Sequence, residues 1–165
     1  MSAARRSDRP AAHEPPVDAE AALRAFIDKF DAANQRLIGE IRSAMRRRYP
    51  AAHELVYDNY NFFVIGYSPT ERPSDAPLSI AASARGVSLC FVQGATLADP
   101  ARLLSGAGKQ TRFLRVAAAS ELDRPEVSAL LAAATADAPM RDGPPGRLVI
   151  RSVSAKQRAR RSAPK

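Results

Sequence analysis

The chain has 165 residues, a formal net charge of +8 and 45% hydrophobic residues, which is enough for one domain with its own core. Its single cysteine excludes an internal disulfide and a zinc site built from several cysteines. No apolar run reaches the ~18 residues of a membrane span, and no apolar stretch follows the arginine-rich start. We therefore expect a cytoplasmic protein without a secretory signal or a membrane partner.

The N-terminal part predicts two helices after a disordered leader, residues 1–17. Asp18 is placed to cap the first helix. Apolar residues then recur at steps of three and four, which indicates one buried helical face: Leu23, Phe26, Ile27, Phe30, Leu37, Ile38, Ile41 and Met45. A single helix over 19–48 would be about 45 Å long, which exceeds a domain diameter of roughly 35 Å. We therefore predict a break near Asp31.

After Pro50 the hydrophobic period changes to two, which predicts strands. The predicted strands are 55–58, 62–67, 78–84, 87–93 and 113–116, with a short helical turn at 99–104, a helix over 121–138 and a last strand at 148–150. This order predicts an α+β fold, in which an antiparallel sheet of five or six strands packs against the N-terminal helices and one later helix. We assign the domain to 18–138, and a linker with a possible edge strand to 139–153.

The last segment, 154–165, is predicted to be a disordered basic tail. It has no acid and no apolar residue larger than alanine, and its cations are Lys156, Arg158, Arg160, Arg161 and Lys165. Such a tail is either a solubilising end or an electrostatic arm that attracts nucleic acid or another polyanion without reading its sequence.

A glycine-containing corner follows the fourth predicted strand. Its candidate anion-binding residues are Gly106, Gly108, Lys109, Arg112 and Arg115. The glycines allow backbone N–H groups to converge on an anion, and the cations add charge nearby. The segment is not a phosphate-binding P-loop, because Gln110 stands where Ser or Thr would hold magnesium. A structural turn with solvated cations is the expected alternative, and the preferred one.

No group of residues in the sequence points to catalysis, so we expect a non-enzymatic protein with no cofactor and no metal site. Cys90 lies in a predicted core strand and His53 before a strand; a Cys–His nucleophile would need the fold to bring the two together. The first helix and the run Arg46–Arg48 are expected to present a solvated face of mixed charge.

Aromatic residues cluster in the predicted strands: Tyr57, Tyr60, Phe62, Phe63 and Tyr67. Half-buried sheet residues are the expected interpretation. A base-stacking surface is the alternative, and it requires Tyr60 to be exposed beside Arg112.

Several segments in a defined order carry a family resemblance. They are Glu54-Leu-Val-Tyr57-Asp-Asn, Val87-Ser-Leu-Cys-Phe91, Asp99-Pro100, Leu103-Leu104, and the corner Gly106, Gly108-Lys109, Arg112 and Arg115. Over about residues 22–135 the chain resembles the YdhG-like family of small bacterial domains, also catalogued as a domain of unknown function. The resemblance implies an α+β fold with an antiparallel sheet. Some members are described as frataxin-like iron chaperones, which implies intracellular iron handling, although no iron-ligand position is carried over.

Together these observations predict a small cytoplasmic binding domain whose partner is an unidentified small ligand or protein. The alternative is a polyanion or nucleic-acid accessory protein that uses the basic tail and the 106–115 turn.

Overall fold

The computed structural model describes residues 18–164, so the predicted leader and Lys165 lie outside the described residues. The helices and strands are α1 (Ala19–Ile27), α2 (Ala32–Arg48), β1 (His53–Asp58), β2 (Phe63–Ser68), β3 (Leu78–Ser83), β4 (Gly86–Phe91), β5 (Arg112–Val116), α3 (Pro125–Ala134) and β6 (Leu148–Val153). Within this described part, no helix is long and apolar enough to cross a membrane.

One six-stranded sheet has the order β5-β4-β3-β2-β1-β6. Strands β1 to β5 pair antiparallel with their neighbours, whereas β6 pairs parallel with β1. The α+β fold is therefore confirmed, with a mixed sheet instead of a wholly antiparallel one. The parallel edge arises because β6 reaches β1 only after the chain has passed through α3, whereas successive antiparallel strands need only short turns.

The predicted break between the first two helices is confirmed. Asp18 caps α1, since its carboxylate accepts from the backbone N–H groups of Glu20 and Ala21 at 3.1 and 3.3 Å. Asp31 precedes α2 but makes no such cap. Its carboxylate accepts from the backbone N–H of Ser162 at 3.4 Å, so it contacts the C-terminal segment instead of its own helix.

The hydrophobic core lies between the helices and one face of the sheet. In β4, Val87, Leu89 and Phe91 are fully buried, while the alternate residues are not. Phe63 of β2 packs against Phe26 of α1 and against Phe30 in the connection between α1 and α2, with ring centroids 6.3 and 6.0 Å apart. The period-two pattern therefore identifies which face of β4 the helices cover.

Two predicted helical segments differ from the structure. The segment predicted as a helix over 121–138 is divided into a 3-10 segment, Ala119–Asp123, and the shorter α3. Arg124 between them is extended, and Pro125 is the first residue of α3, the position where a missing N–H costs nothing. The turn after Asp99 is not helical, because its carboxylate binds the N–H groups of Leu103 and Leu104, both at 2.9 Å.

The prediction of a disordered tail is wrong for residues 154–164. The backbone N–H of Ser154 donates to Asp58 O at 2.9 Å, and that of Arg158 donates to Tyr60 O at 2.8 Å. Arg160 is 4% exposed and pairs with the Asp58 carboxylate at 3.0 Å. The prediction considered only apolar burial, whereas this segment is held by a buried ion pair across the fold.

The ion pair between Arg42 and Glu20 on the helices is expected to make the stability depend on pH. The hydrogen bonds from Arg42 hold the pKa of Glu20 below its ordinary value of 4.5, so the folded protein binds fewer protons at this site than the unfolded chain. This stabilisation is present above about pH 4.5 and is lost as the pH falls through the lower folded pKa.

We therefore expect Glu20→Gln to reduce the loss of stability on acidification. Urea unfolding of both proteins on either side of pH 4.5 checks this. The prediction is contradicted if the free energy of unfolding falls equally in the two proteins as the pH is lowered.

Candidate functional site

In the glycine corner, the Arg112 side chain binds backbone carbonyl oxygens of the corner itself. Gly106 has a φ of +133°, and Ser105 pairs with Phe113 through two backbone hydrogen bonds of 2.8 Å. The Arg112 guanidinium donates to the carbonyl oxygens of Gly108 and Thr111. Two backbone carbonyl oxygens therefore bind one nitrogen of this cation, and Lys109 is exposed. The preferred interpretation, a structural turn, agrees with this geometry.

The two arginines of the predicted anion site lie apart. Phe91 pairs with Arg112 and Ser88 with Arg115, on opposite faces of the sheet. Arg115 donates to the Arg85 carbonyl at 2.6 Å across the turn that Gly86 allows with a φ of +131°. The structure therefore does not bring the five candidate residues of the corner together.

The tail cations occupy different environments. Arg161 donates to the carbonyls of Asp28 and Lys29 at the end of α1, both at 3.2 Å, and Lys156 is exposed. The Arg158 guanidinium lies over the Tyr60 ring, 5.6 Å from its centroid. The cation beside Tyr60 is therefore Arg158, and not Arg112, which the alternative of a base-stacking surface required.

Cys90 and His53 do not meet. Both lie on the sheet face turned away from the helices, but their strands are three positions apart, about 14 Å across the sheet. The imidazole Nδ1 of His53 accepts from the backbone N–H of Arg147 at 3.0 Å. Burial raises the pKa of the Cys90 thiol, which disfavours the reactive thiolate. The structure thus places neither residue in a nucleophilic pair.

Within residues 18–164, no three or more His, Cys, Asp or Glu side chains are grouped so that they could hold a metal ion.

A buried polar network lies where α2 crosses β1 and β2. The Arg42 guanidinium donates two hydrogen bonds to Glu54, at 2.8 and 2.9 Å, and two more to Glu20. The Tyr67 hydroxyl donates to Glu54 at 3.0 Å. Burial raises the pKa of Tyr67 well above its ordinary value, and the neighbouring Glu54 raises it further. Because every member has a partner inside the network, we interpret it as a structural element.

The uncovered face of the sheet carries a candidate surface. Two hollows, of about 630 and 230 Å³, meet at Phe62 and Arg85 on this face. We call the surface around them the arginine–aromatic face. It comprises Phe62, Arg85, Phe113, Arg115, Arg158 and Arg161.

The aromatic rings of this face are accessible. Phe62 is 44% exposed and the neighbouring Tyr60 is 50% exposed. Phe113 is partly buried in β5, three strand positions across the sheet from β2, the strand that follows Phe62. Between them the strands present small side chains, including Ala81 and Ser88. The face therefore has two separate aromatic side chains, Phe62 and Phe113, with small side chains between them.

The charged residues that line the two hollows of this face are all positive. Four arginines line the two hollows, and among the described residues the linings contain no Asp or Glu. The C-terminal segment forms one wall, because the buried Asp58–Arg160 pair holds the neighbouring Arg158 and Arg161 in place. Lys29 also binds the Asp58 carboxylate, at 2.6 Å.

The sequence pattern identified the aromatic cluster that includes Phe62 and, separately, the tail arginines, but it did not predict that Phe62, Arg158 and Arg161 share one face. Phe62 immediately precedes the core residue Phe63, so alternation already implied that it points away from the core. The approach of the tail is set by Asp58, 102 positions before Arg160 in the chain, and no local pattern shows it.

Comparisons with protein-family models, with curated proteins and with solved structures find no match for this chain.

Proposed function

We propose that the protein is a small non-enzymatic domain that binds single-stranded nucleic acid across the arginine–aromatic face. The observation that carries the proposal is the position of Phe62. Its exposed ring lies where the two hollows meet, and arginines approach it from the β3–β4 turn, β5 and the C-terminal segment. An exposed ring among cations on a sheet face is the arrangement that binds unpaired bases and their phosphates.

The chemistry favours a single strand over a duplex. Bases stack on an aromatic ring only when they are not already stacked and paired in a helix, and each such contact is worth about 1–3 kcal/mol. Guanidinium groups bind phosphate oxygens in a bidentate manner and release counterions, which makes the affinity depend on salt. The absence of carboxylates from the described lining residues removes the repulsion that a polyanion would otherwise meet.

The C-terminal segment enters this proposal as a wall of the site and not as a free arm. Arg160 is buried against Asp58, so that it is not available to a ligand, whereas Arg158 and Arg161 remain exposed on either side. The ion pair thus converts part of the basic segment into a fixed surface.

Fluorescence anisotropy with a labelled oligothymidylate of about 12 nucleotides tests the proposal. We expect Phe62→Ala to weaken binding about ten-fold through the lost stacking contact. Each of Arg85→Gln and Arg158→Gln is expected to lower the dependence of log affinity on log salt by about 0.7, the value for one phosphate contact on a single strand.

Arg24→Gln is the matched control, since it removes one exposed charge from α1, away from this face. It is expected to leave the oligonucleotide affinity within about two-fold of the unmodified protein. Equal effects of the Arg24 and Arg85 substitutions, or tighter binding of duplex than of single strand, would contradict the proposal.

Membership of the YdhG-like family, a cytoplasmic location and iron handling stay predictions from the sequence. Calorimetric titration with ferrous iron tests the last of these, and binding no tighter than that of a protein of matched charge would reject it.

A further inference from the structure

A second cationic cleft lies on the helical side of the molecule. It has a volume of about 460 Å³ and lies between the C-terminal end of α2 and the 3-10 segment Ala119–Asp123. Arg47, Arg48 and Arg141 line it together with Ser120 and Asp123. Three arginines against one aspartate leave the lining with a charge of +2.

Arg48 is held in place at the wall of this cleft. One of its guanidinium nitrogens donates to the Leu122 carbonyl at 3.1 Å and lies 3.4 Å from the Ser128 hydroxyl. Its contact with Asp123 is long, at 3.7 Å, and that carboxylate is 86% exposed. The Asp123 charge is therefore well screened, and the remaining Arg48 donors are not consumed by an ion pair.

The other two arginines approach the cleft from different segments. Arg47 belongs to the last turn of α2, and Arg141 follows the buried residue Met140. Among residues 18–164, neither makes a salt bridge or a side-chain hydrogen bond. Cations near a helix C-terminus complement the helix dipole, but that explanation does not apply to Arg141, which lies outside α2.

A neighbouring hollow extends the cleft along α2. It has a volume of about 540 Å³, shares Arg47 and Ala119 with the first, and is lined also by Arg36, Gly39 and Glu40. A Cβ atom added at Gly39 would have no neighbour within 4 Å, so packing does not require glycine at this point of the helix. Glycine is a poor helix former, and its presence here leaves a low floor on which a ligand can lie close to the backbone.

We propose that this cleft binds a small phosphorylated molecule, with the phosphate between Arg47, Arg48 and Arg141 and the rest of the ligand along α2 over Gly39. A phosphate ester carries up to two negative charges at neutral pH and accepts bidentate hydrogen bonds from guanidinium groups, which matches the lining charge. The described lining residues of the two hollows include no aromatic side chain on which a base could stack. The cleft therefore suits a phosphate and not an oligonucleotide.

Inorganic pyrophosphate serves as the probe, with binding followed by calorimetry and by amide NMR at constant ionic strength. We expect shifts at residues 44–48, 119–123 and 141, and the double substitution Arg47→Gln with Arg141→Gln is expected to weaken binding at least about ten-fold. The double substitution Arg24→Gln with Arg85→Gln also removes two exposed positive charges, so it is the charge-matched control and is expected to change the affinity by less than about two-fold.

Shifts elsewhere than in the cleft, or equal losses from the double variant and the control, would overturn this assignment. The site is separate from the arginine–aromatic face, so the two proposals fail independently. Arg85→Gln is expected to leave pyrophosphate binding unchanged, and the Arg47/Arg141 variant is expected to retain the stacking contribution of Phe62 to oligonucleotide binding.

Discussion

Replacing Asp58 by alanine is expected to lower the free energy of unfolding by about 3–5 kcal/mol. The Asp58 side chain is fully buried, and it pairs with Arg160, whose side chain is 2% exposed. Without the carboxylate, a buried positive charge has no counterion, and Lys29 loses its partner as well. Urea unfolding followed by circular dichroism measures the change.

A double variant separates the buried charge from the loss of packing. Asp58→Leu combined with Arg160→Met removes both charges and fills the volume with apolar side chains. We expect it to be more stable than Asp58→Ala, because no unpaired charge is then buried. A single Asp58→Ala variant that loses less than about 1 kcal/mol would show that the pair contributes no more than a surface salt bridge.

Replacing Glu54 by alanine is expected to cost about 2–4 kcal/mol. The Glu54 side chain is 7% exposed and accepts from the Arg42 guanidinium and from the Tyr67 hydroxyl. Its removal leaves the fully buried Tyr67 hydroxyl without an acceptor, while Arg42 keeps only its half-exposed partner Glu20. Chemical denaturation of the variant measures the loss.

Tyr67→Phe is the control for this network. It removes the hydroxyl but leaves the Arg42–Glu54 pair intact, so we expect a loss of only about 1 kcal/mol. If Tyr67→Phe cost as much as Glu54→Ala, the hydroxyl and not the ion pair would dominate the network.

The parts of the fold that follow from local sequence were predicted. The cap at Asp18 and the helix break before α2 depend on residues near one another in the chain. The buried face of β4 follows from alternation of Val87, Leu89 and Phe91. Each of these features is decided within a few residues, and hydrophobic period and capping chemistry describe such features well.

The features that depend on distant contacts were not predicted. The parallel pairing of β6 with β1 and the burial of Arg160 join segments that are far apart in the chain. A guanidinium is normally exposed unless it is paired, so composition alone indicated a solvated tail. The Arg160 side chain is buried because the Asp58 carboxylate on β1 pairs with it.

The candidate sites show the same limit. The glycine corner was predicted as a candidate anion site because its glycines and cations are adjacent in sequence, yet Arg112 and Arg115 lie on opposite faces of the sheet. Phe62, Arg85 and Arg158 lie far apart in the chain and meet on one face. The two charge-rich segments of the sequence contribute Arg115, Arg158 and Arg161 to this face, but Phe62 and Arg85 come from outside them, so the shared surface was not predicted.

The most direct test of nucleic-acid binding is amide NMR of the labelled protein with an unlabelled oligothymidylate. The proposed function predicts perturbations on Phe62, on the strand residues from 81 to 88, on 113–115 and on 158–162, and none along α2. Perturbations confined to the helical side, or none at all at low salt, would contradict it.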